Sequence, residues 1–588
     1  MGWNGWAQYQ CGYSARTIIE NARALVRTGL AARGYATVTI DDCWMQKTRG
    51  AGGALQVDTT RFPQGMQPVI EAVHALGLKF GIYEDAGYST CGGFAGSGEP
   101  KGGGEDHFLQ DARLFRSWGV DYLKLDGCNV RVGTGETKAE AYRRAYAKES
   151  AALMAIGRPV IFSESAPAYF MDTPEWYDVL GWVGDYGQLW REGTDIEDFH
   201  KDKADFGRFP SVLWNYAYNL PLGRFQRPGN WNDPDFVIAG GGMSLAENRS
   251  QMALWSMMSS PLILSADVSQ LGSAAIAILG NKAVIAIDQD RLGRMANLIR
   301  RSRSMDVLLK PLADGDFAVA VFNRGATPVR ARLVPAGLGF ARNVECRFEA
   351  WDLWSGGRHA AVSALDAKVM SHDTMIWRVR PSTACGVPMR VGAIVMTVPG
   401  KPRRSIEAYG RCLAATGVVE PCKGTPAESW TVTATGGLVS GGRCLAAVVE
   451  AAVVMKGCAG SGNDAQRWRY TRGGELVNEM NGECLTATHG DGGRGHFRLA
   501  ACGHHRADQI WSLPNPLSRN LPDAEGAGTA RDSTRPGPTF TALPLHLTRM
   551  NEGHGVTALF GQRVGKAAAA LAFCAQEPGP GKPLEAAR

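Results

Sequence analysis

The sequence predicts an α/β fold class: an N-terminal (β/α)8 TIM barrel over 1–300, an antiparallel β-sandwich over 301–382, a linker over 383–400 and a β-trefoil over 401–514. Three observations predict it. Short apolar strands alternate with amphipathic helices through the first half. The texture then turns to short strands alone, and a unit closing on tryptophan recurs near the C-terminus. At 588 residues the chain is too long for one core, and domains of about 150 residues give it three or four.

Strand candidates in the first half are 36–41, 79–83, 122–126, 159–164, 181–183 and 261–265. One helix carries Ile18, Ile19, Ala22, Leu25 and Val26 on one face and stops before Gly29 and Gly34; another spans 107–118. Repeated βα units over about 300 residues favour a closed barrel over an open sheet. No Gly-x-Gly-x-x-Gly follows the first strand, which argues against a dinucleotide fold. Strands at 306–312, 316–323 and 375–379 follow, the first two joined by an Asp314-Gly315 hairpin turn. The repeat units run from Gly410-Arg-Cys-Leu to Trp430, from Gly442-Arg-Cys-Leu to Trp468 and from Gly482-Glu-Cys-Leu to Trp511. Repeats of about 40 residues that each end in a tryptophan stack into one shared core. Residues 515–588 are rich in Pro, Gly and Ala without periodicity and read as a disordered tail, with Cys574 unpaired.

Composition excludes several classes of function. A net charge of +6 with scattered Lys and Arg leaves no nucleic-acid footprint. No apolar run reaches the roughly 18 residues of a membrane span. Neither a phosphate loop nor a His-Glu-x-x-His helix is present, so no metal and no cofactor is expected. Thirteen cysteines include three pairs at recurring spacing, Cys412/Cys422, Cys444/Cys458 and Cys484/Cys502. Their spacing is not of the zinc type and points to disulfides, hence to an extracellular or secretory-pathway location. The chain opens on Met1-Gly-Trp-Asn-Gly-Trp6 without a basic or apolar leader. Either a leader precedes this sequence or export takes another route. Oligomeric state is not legible.

Residues 120–128 carry the most chemistry. Tyr122, Lys124 and Asp126 share one face of a strand whose other face is Leu123 and Leu125. A buried carboxylate is costly unless paired, so Lys124 is expected to keep Asp126 ionised. Other strands also finish on polar groups: Asp41-Asp42 before Cys43-Trp44, Tyr83-Glu84-Asp85, Ser163-Glu164, and Arg191 through Asp195. Carboxylates on several strand ends of one barrel face mark an active site. Acids, Lys, Arg and Tyr, with Trp6 or Trp44 to stack on an apolar sugar face, suit a polyhydroxylated substrate. Two-carboxylate glycoside hydrolysis leads.

These residues resemble glycoside hydrolase family 27, the α-galactosidases and α-N-acetylgalactosaminidases. The match runs through Met1-Gly-Trp-Asn-Gly-Trp6, Ile40-Asp-Asp-Cys-Trp44, Gly81-Ile-Tyr83, Tyr122-Leu-Lys-Leu-Asp-Gly-Cys128, Trp190-Arg191 to Asp195, Trp231-Asn-Asp-Pro-Asp235 and Ile287-Asp-Gln-Asp290. The resemblance implies Asp126 as nucleophile and Asp195 as general acid/base. It implies sugar contacts from Trp6, Asp41, Asp42, Tyr83, Lys124, Glu164 and Arg191, with Asp233 and Asp235 in support only. It also implies disulfides Cys11–Cys43 and Cys91–Cys128. The implied partner is a galactose-containing oligosaccharide or glycoconjugate. Where the family has Cys-Glu-Trp this chain has Ser163-Glu164-Ser165, followed by Ala166-Pro167. Glu164 is expected to face the sugar's C2 and favour galactose over its N-acetylamino analogue. Alternatives on this scaffold are a β-L-arabinopyranosidase and an α-N-acetylgalactosaminidase; a lectin with an inactive barrel is the rival from another class. The threefold repeat resembles the ricin-type β-trefoil. Ala414, Ala446 and Thr486 stand where such modules carry a sugar-binding Asp, so weak sugar binding is expected there.

Overall fold

Eight short strands form the first domain: β1 Gly2–Asn4, β2 Thr37–Thr39, β3 Lys79–Asp85, β4 Tyr122–Asp126, β5 Ile161–Glu164, β6 Leu189–Arg191, β7 Trp231–Asp233 and β8 Ile263–Leu264. In this computed structural model the residues described are 1–171, 173–196, 208–240, 242–396, 411–448, 451–460, 462–488, 495–503 and 506–517. The sheet runs in the order β7-β6-β5-β4-β3-β2-β1-β8, and a parallel bridge between Val237 and Leu264 closes it into a barrel. Helices Ala15–Arg27 and Phe108–Trp118 lie where the apolar periodicity puts them. The run at 181–183 is not a strand; it ends the helix Trp176–Val183. Most of that helix is buried, so its apolar pattern has no period to distinguish it from a buried strand.

Register decides which side chains meet. Tyr83, Lys124 and Ser163 lie level across β3, β4 and β5, and Asp85 lies level with Asp126. Level residues of parallel strands share a face, so these five point into the barrel. Leu125, Glu164 and Trp190 are level with one another and point to the helix layer.

The sandwich begins at 297, a few residues before the expected boundary. Its strands are β9 Asn297–Arg301, β10 Met305–Pro311, β11 Phe317–Asn323, β12 Val329–Leu333, β13 Phe348–Asp352, β14 Arg358–Val362, β15 Leu365–Val369 and β16 Thr374–Pro381. Six of them form one sheet in the order β14-β13-β16-β11-β10-β9, and β12–β15 form a second. Gly315 sits at φ 96° in the hairpin turn, a conformation that favours glycine. Leu308, Ala318, Ala320 and Phe322 join the barrel's core, whereas Val307, Leu309, Val319 and Val321 fill the sandwich. β11 is therefore apolar on both faces, whereas buried Asp306 and Lys310 flank Leu308 on β10.

The stretch read as a linker belongs to the trefoil in part. Val391–Gly392 pairs with Trp430–Val432, and Val395–Met396 pairs with Arg411–Ala414 and Trp511–Ser512. The threefold plan is explicit in three buried indoles. Trp430, Trp468 and Trp511 donate from Nε1 to the carbonyls of Leu413 (2.6 Å), Leu445 (3.0 Å) and Leu485 (2.9 Å). The trefoil packs on the barrel. The Arg224 guanidinium lies 4.5 Å from the Phe225 ring and 5.0 Å from the Tyr470 ring, and donates to the Thr471 carbonyl (3.1 Å). Of the expected tail, Asn515 donates to Asn297 Oδ1 (2.7 Å) and Leu517 enters the sandwich core. The rest of it, Cys574 included, lies outside the described residues.

Cys11–Cys43, Cys91–Cys128, Cys412–Cys422, Cys444–Cys458 and Cys484–Cys502 are bonded. A further pair, Cys346–Cys385, ties the sandwich and was not foreseen. Among the described residues no helix is long and apolar enough to cross a membrane.

Candidate active site

Asp126 ends β4 at the barrel mouth, partly exposed. Its Oδ1 accepts from Tyr169 Oη (2.6 Å) and Gly127 N (2.9 Å), and its Oδ2 from Tyr83 Oη (3.0 Å). Burial first, and then the charge of Asp126, push both phenols well above the ordinary tyrosine value. Both therefore stay protonated and donating, which stabilises and aims the carboxylate.

Lys124 is not the direct partner of Asp126. Its Nζ donates to Asp41 Oδ2 (2.7 Å), which also accepts from Asn4 Nδ2 (2.6 Å). Burial alone lowers the ammonium, but Asp41 and then Asp126 outweigh it and leave it above its usual value. Lys124 is thus committed to Asp41, which it orders. Asp42 accepts from Cys43 N (2.7 Å) and Gly92 N (2.9 Å); burial raises it nonetheless. Trp6 is half-buried in the short helix Trp6–Tyr9. Trp44 is fully buried, donates to the Tyr83 carbonyl (2.8 Å) and cannot stack on a ligand.

On the other side Arg191 is buried and forked. Its Nη2 meets Asp195 Oδ1 (3.0 Å) and the Thr194 carbonyl (2.8 Å), and its Nη1 meets Asp235 Oδ1 (3.1 Å). Asp195 is more than half exposed, at 58%, as a group that must reach a substrate requires. Asp235 accepts from Ile196 N (2.6 Å) and so fixes the residue after Asp195. Burial lifts Asp235 to about 7, against the opposing pull of Arg191. Asp233 in turn accepts from Asp235 N (2.9 Å).

Glu164 departs from expectation. It is fully buried, and neither carboxylate oxygen has a hydrogen-bond partner among the described residues. A methyl on Gly187, behind the strand, would stand 2.3 Å from Oε1. Burial and then Asp185 push its carboxyl well above the usual range, so it is held neutral. The physical reason is strand alternation: Ser163 shares the lumen face with Lys124, and Glu164 must point the other way. The next lumen-facing position is Ser165, followed by the turn Ala166–Phe170 that delivers Tyr169 to the nucleophile. Tyr169 escaped sequence reasoning because the turn has no periodicity.

Asp85, Cys91, Asp126 and Cys128 offer ligand atoms within 4.8 Å of one another. Both sulfurs are committed to a disulfide, so the group presents two carboxylates and no thiolate, a poor donor set for a metal. In the trefoil, Ala414 and Ala446 are buried. Thr486 Oγ1 donates to the Cys484 carbonyl (2.9 Å) and accepts from Gln509 Nε2 (2.8 Å). No carboxylate stands at those positions, and the one hydroxyl is occupied internally.

A closed parallel barrel whose mouth gathers Asp41, Asp42, Asp126 and Asp195 around Lys124 and Arg191 defines a glycoside hydrolase catalytic domain. Comparison with known proteins agrees. The alpha galactosidase A profile matches residues 1–290, the alpha galactosidase C-terminal beta sandwich domain 302–379, and the ricin-type beta-trefoil lectin domain 405–511. Alpha-galactosidase A of Aspergillus niger is 37% identical over 526 residues, covering 88% of this chain and 91% of that protein. The crystal structure of alpha-galactosidase I from Mortierella vinacea superposes with a TM-score of 0.58 at 28% identity, covering 66% of this chain and 98% of that one. The alpha-galactosidase of Saccharomyces cerevisiae, solved with raffinose, shares the fold at a TM-score of 0.56 and 24% identity, covering 65% and 97%. The chain belongs to the alpha-galactosidase A family, glycoside hydrolase family 27.

Proposed function

We propose that the chain is a retaining exo-glycosidase that releases terminal α-D-galactose from galactosides or galacto-oligosaccharides. The observation that carries this reading is Asp126, aimed by two tyrosines and a backbone N–H at a barrel mouth it shares with Arg191-bound Asp195. Asp126 attacks the anomeric carbon while Asp195 gives its proton to the departing oxygen. Asp195 then takes a proton from the water that frees the sugar. Asp41, Asp42 and Lys124 bind the sugar's hydroxyls as acceptors and donor, and Trp6 flanks its apolar face. Six disulfides support an extracellular or secretory-pathway location. Initial rates on p-nitrophenyl α-galactoside, β-L-arabinopyranoside and α-N-acetylgalactosaminide test the reading. The α-galactoside should be the fastest.

One observation favours a second reading, an α-N-acetylgalactosaminidase. With Glu164 turned behind the strand, the next lumen-facing position at that strand end is the small, buried Ser165. A serine leaves room for an acetamide where a carboxylate would crowd it. Ser165→Glu should then shift the galactoside/N-acetylgalactosaminide rate ratio towards galactose by about tenfold or more, the scale of one crowded group in a specificity pocket. Glu164→Gln should leave the ratio unchanged. If Glu164→Gln alone moves it, the assignment of the C2 pocket to Ser165 is wrong.

The trefoil should contribute no galactose site of its own. Losing charge-assisted hydrogen bonds removes about 1.5–3 kcal/mol each, enough to make a shallow sugar site undetectable. Calorimetric titration of the whole chain with galactose should give one site, in the barrel; a second saturable site would contradict this.

A further inference from the structure

Asp85 has no part in the chemistry described so far, yet it lies level with the nucleophile on the neighbouring strand. It is fully buried, and its carboxylate comes within 4.8 Å of that of Asp126. Its two oxygens join two separate loops. Oδ1 accepts from Gly87 N (2.7 Å), at the start of the loop that carries Cys91. Oδ2 accepts from Cys128 N (3.0 Å), in the turn that follows the nucleophile. The loops touch: a methyl on Gly87 would stand 2.4 Å from the Asn129 carbonyl carbon. The first of them also delivers Gly92 N to Asp42 (2.9 Å).

The charge around Asp85 is one-sided. Asp126 faces it from β4 and Asp42 from the end of β2, with Tyr83 and Glu84 on its own strand. Tyr142 and Tyr146 face it from the helix Lys138–Ala155, and Tyr169 from the turn after β5. Among the described residues no cation lies within ion-pair distance of it; Lys124 is spent on Asp41. Two backbone N–H donors are what keep a carboxyl at this place, and a second carboxylate this close opposes ionisation of the first.

We propose that Asp85 is a positioning residue for the reaction, its two carboxylate oxygens locking the Cys91 and Cys128 loops against β4 and so holding the turn behind the nucleophile in place. This rests on Asp126 being the nucleophile. Burial and then Asp126 raise Asp85 well above the usual aspartate value, as expected of two acids in one site.

The test is kcat and KM, measured separately, for the full chain carrying Asp85→Asn or Asp85→Ser, on whichever of the three aryl glycosides the unmodified enzyme cleaves. Asn keeps the volume but offers one acceptor for two N–H groups; Ser is the fallback should Asn disturb folding, which thermal unfolding reports. In the folded variants kcat should fall by about tenfold or more as the turn behind the nucleophile loosens. Folded variants that keep the parent's kcat, whatever their thermal midpoint or KM, overturn the proposal, because a purely structural residue lowers stability without touching turnover. Failure of the underlying reading looks different: Asp126→Asn would retain turnover, which overturns both.

Discussion

Asp126→Asn lowers turnover of p-nitrophenyl α-galactoside by on the order of 10⁴- to 10⁶-fold, the loss seen when an essential member of a covalent catalytic set is removed. An amide cannot displace the aglycone and form a glycosyl ester. The substitution is nearly isosteric, so the site survives it. The amide oxygen still accepts from Tyr169 and Gly127, and the Tyr83 hydroxyl can turn to accept from the new NH2 group. Thermal unfolding of the variant should stay within a few degrees of the parent, so the lost rate cannot be charged to misfolding. Residual turnover above about one part in a thousand, in protein free of parent enzyme, contradicts the role of Asp126.

Asp195→Asn has the second-largest effect, and that effect depends on the leaving group. A positioned general acid is worth about 10²- to 10⁴-fold, and that full factor should appear with an alkyl galactoside or galacto-oligosaccharide. p-Nitrophenolate leaves without a proton, so its release should be far less affected. The basic limb of the pH profile reports the protonated acid and should vanish in this variant, while the acid limb remains. Arg191 keeps Asp235 at 3.1 Å, so the arginine itself should hold its place. Steady-state rates on one substrate of each type decide the matter, and equal losses on both would contradict the role of Asp195.

How much was legible from the chain varied with the physics of each element. Strand β4 could be read residue by residue because Lys124 and Asp126 alternate with leucines, a pattern that only a half-polar strand produces. The helix Trp176–Val183 was misread for the opposite reason: with most of it buried, it has no polar face to show a period. The Lys124–Asp41 pair spans 83 residues and depends on barrel register, which no local pattern encodes. Glu164 was within reach. The alternation that placed Lys124 inward also turns Glu164 outward once Ser163 is aligned with it, and the family motif obscured that step. The trefoil's first strands at 391–396 are two residues each, too short for any periodicity. Cys346 and Cys385 stand 39 residues apart with no recurring spacing to link them.

The central claim is double displacement at Asp126, and the most direct test is the anomer first released. Proton NMR during the first minutes of α-galactoside hydrolysis should show α-galactose accumulating before mutarotation yields the β form, because two inversions at one carbon restore the starting configuration. β-Galactose as the first product would mean that water attacks directly, with Asp126 acting as a base, and would contradict the account.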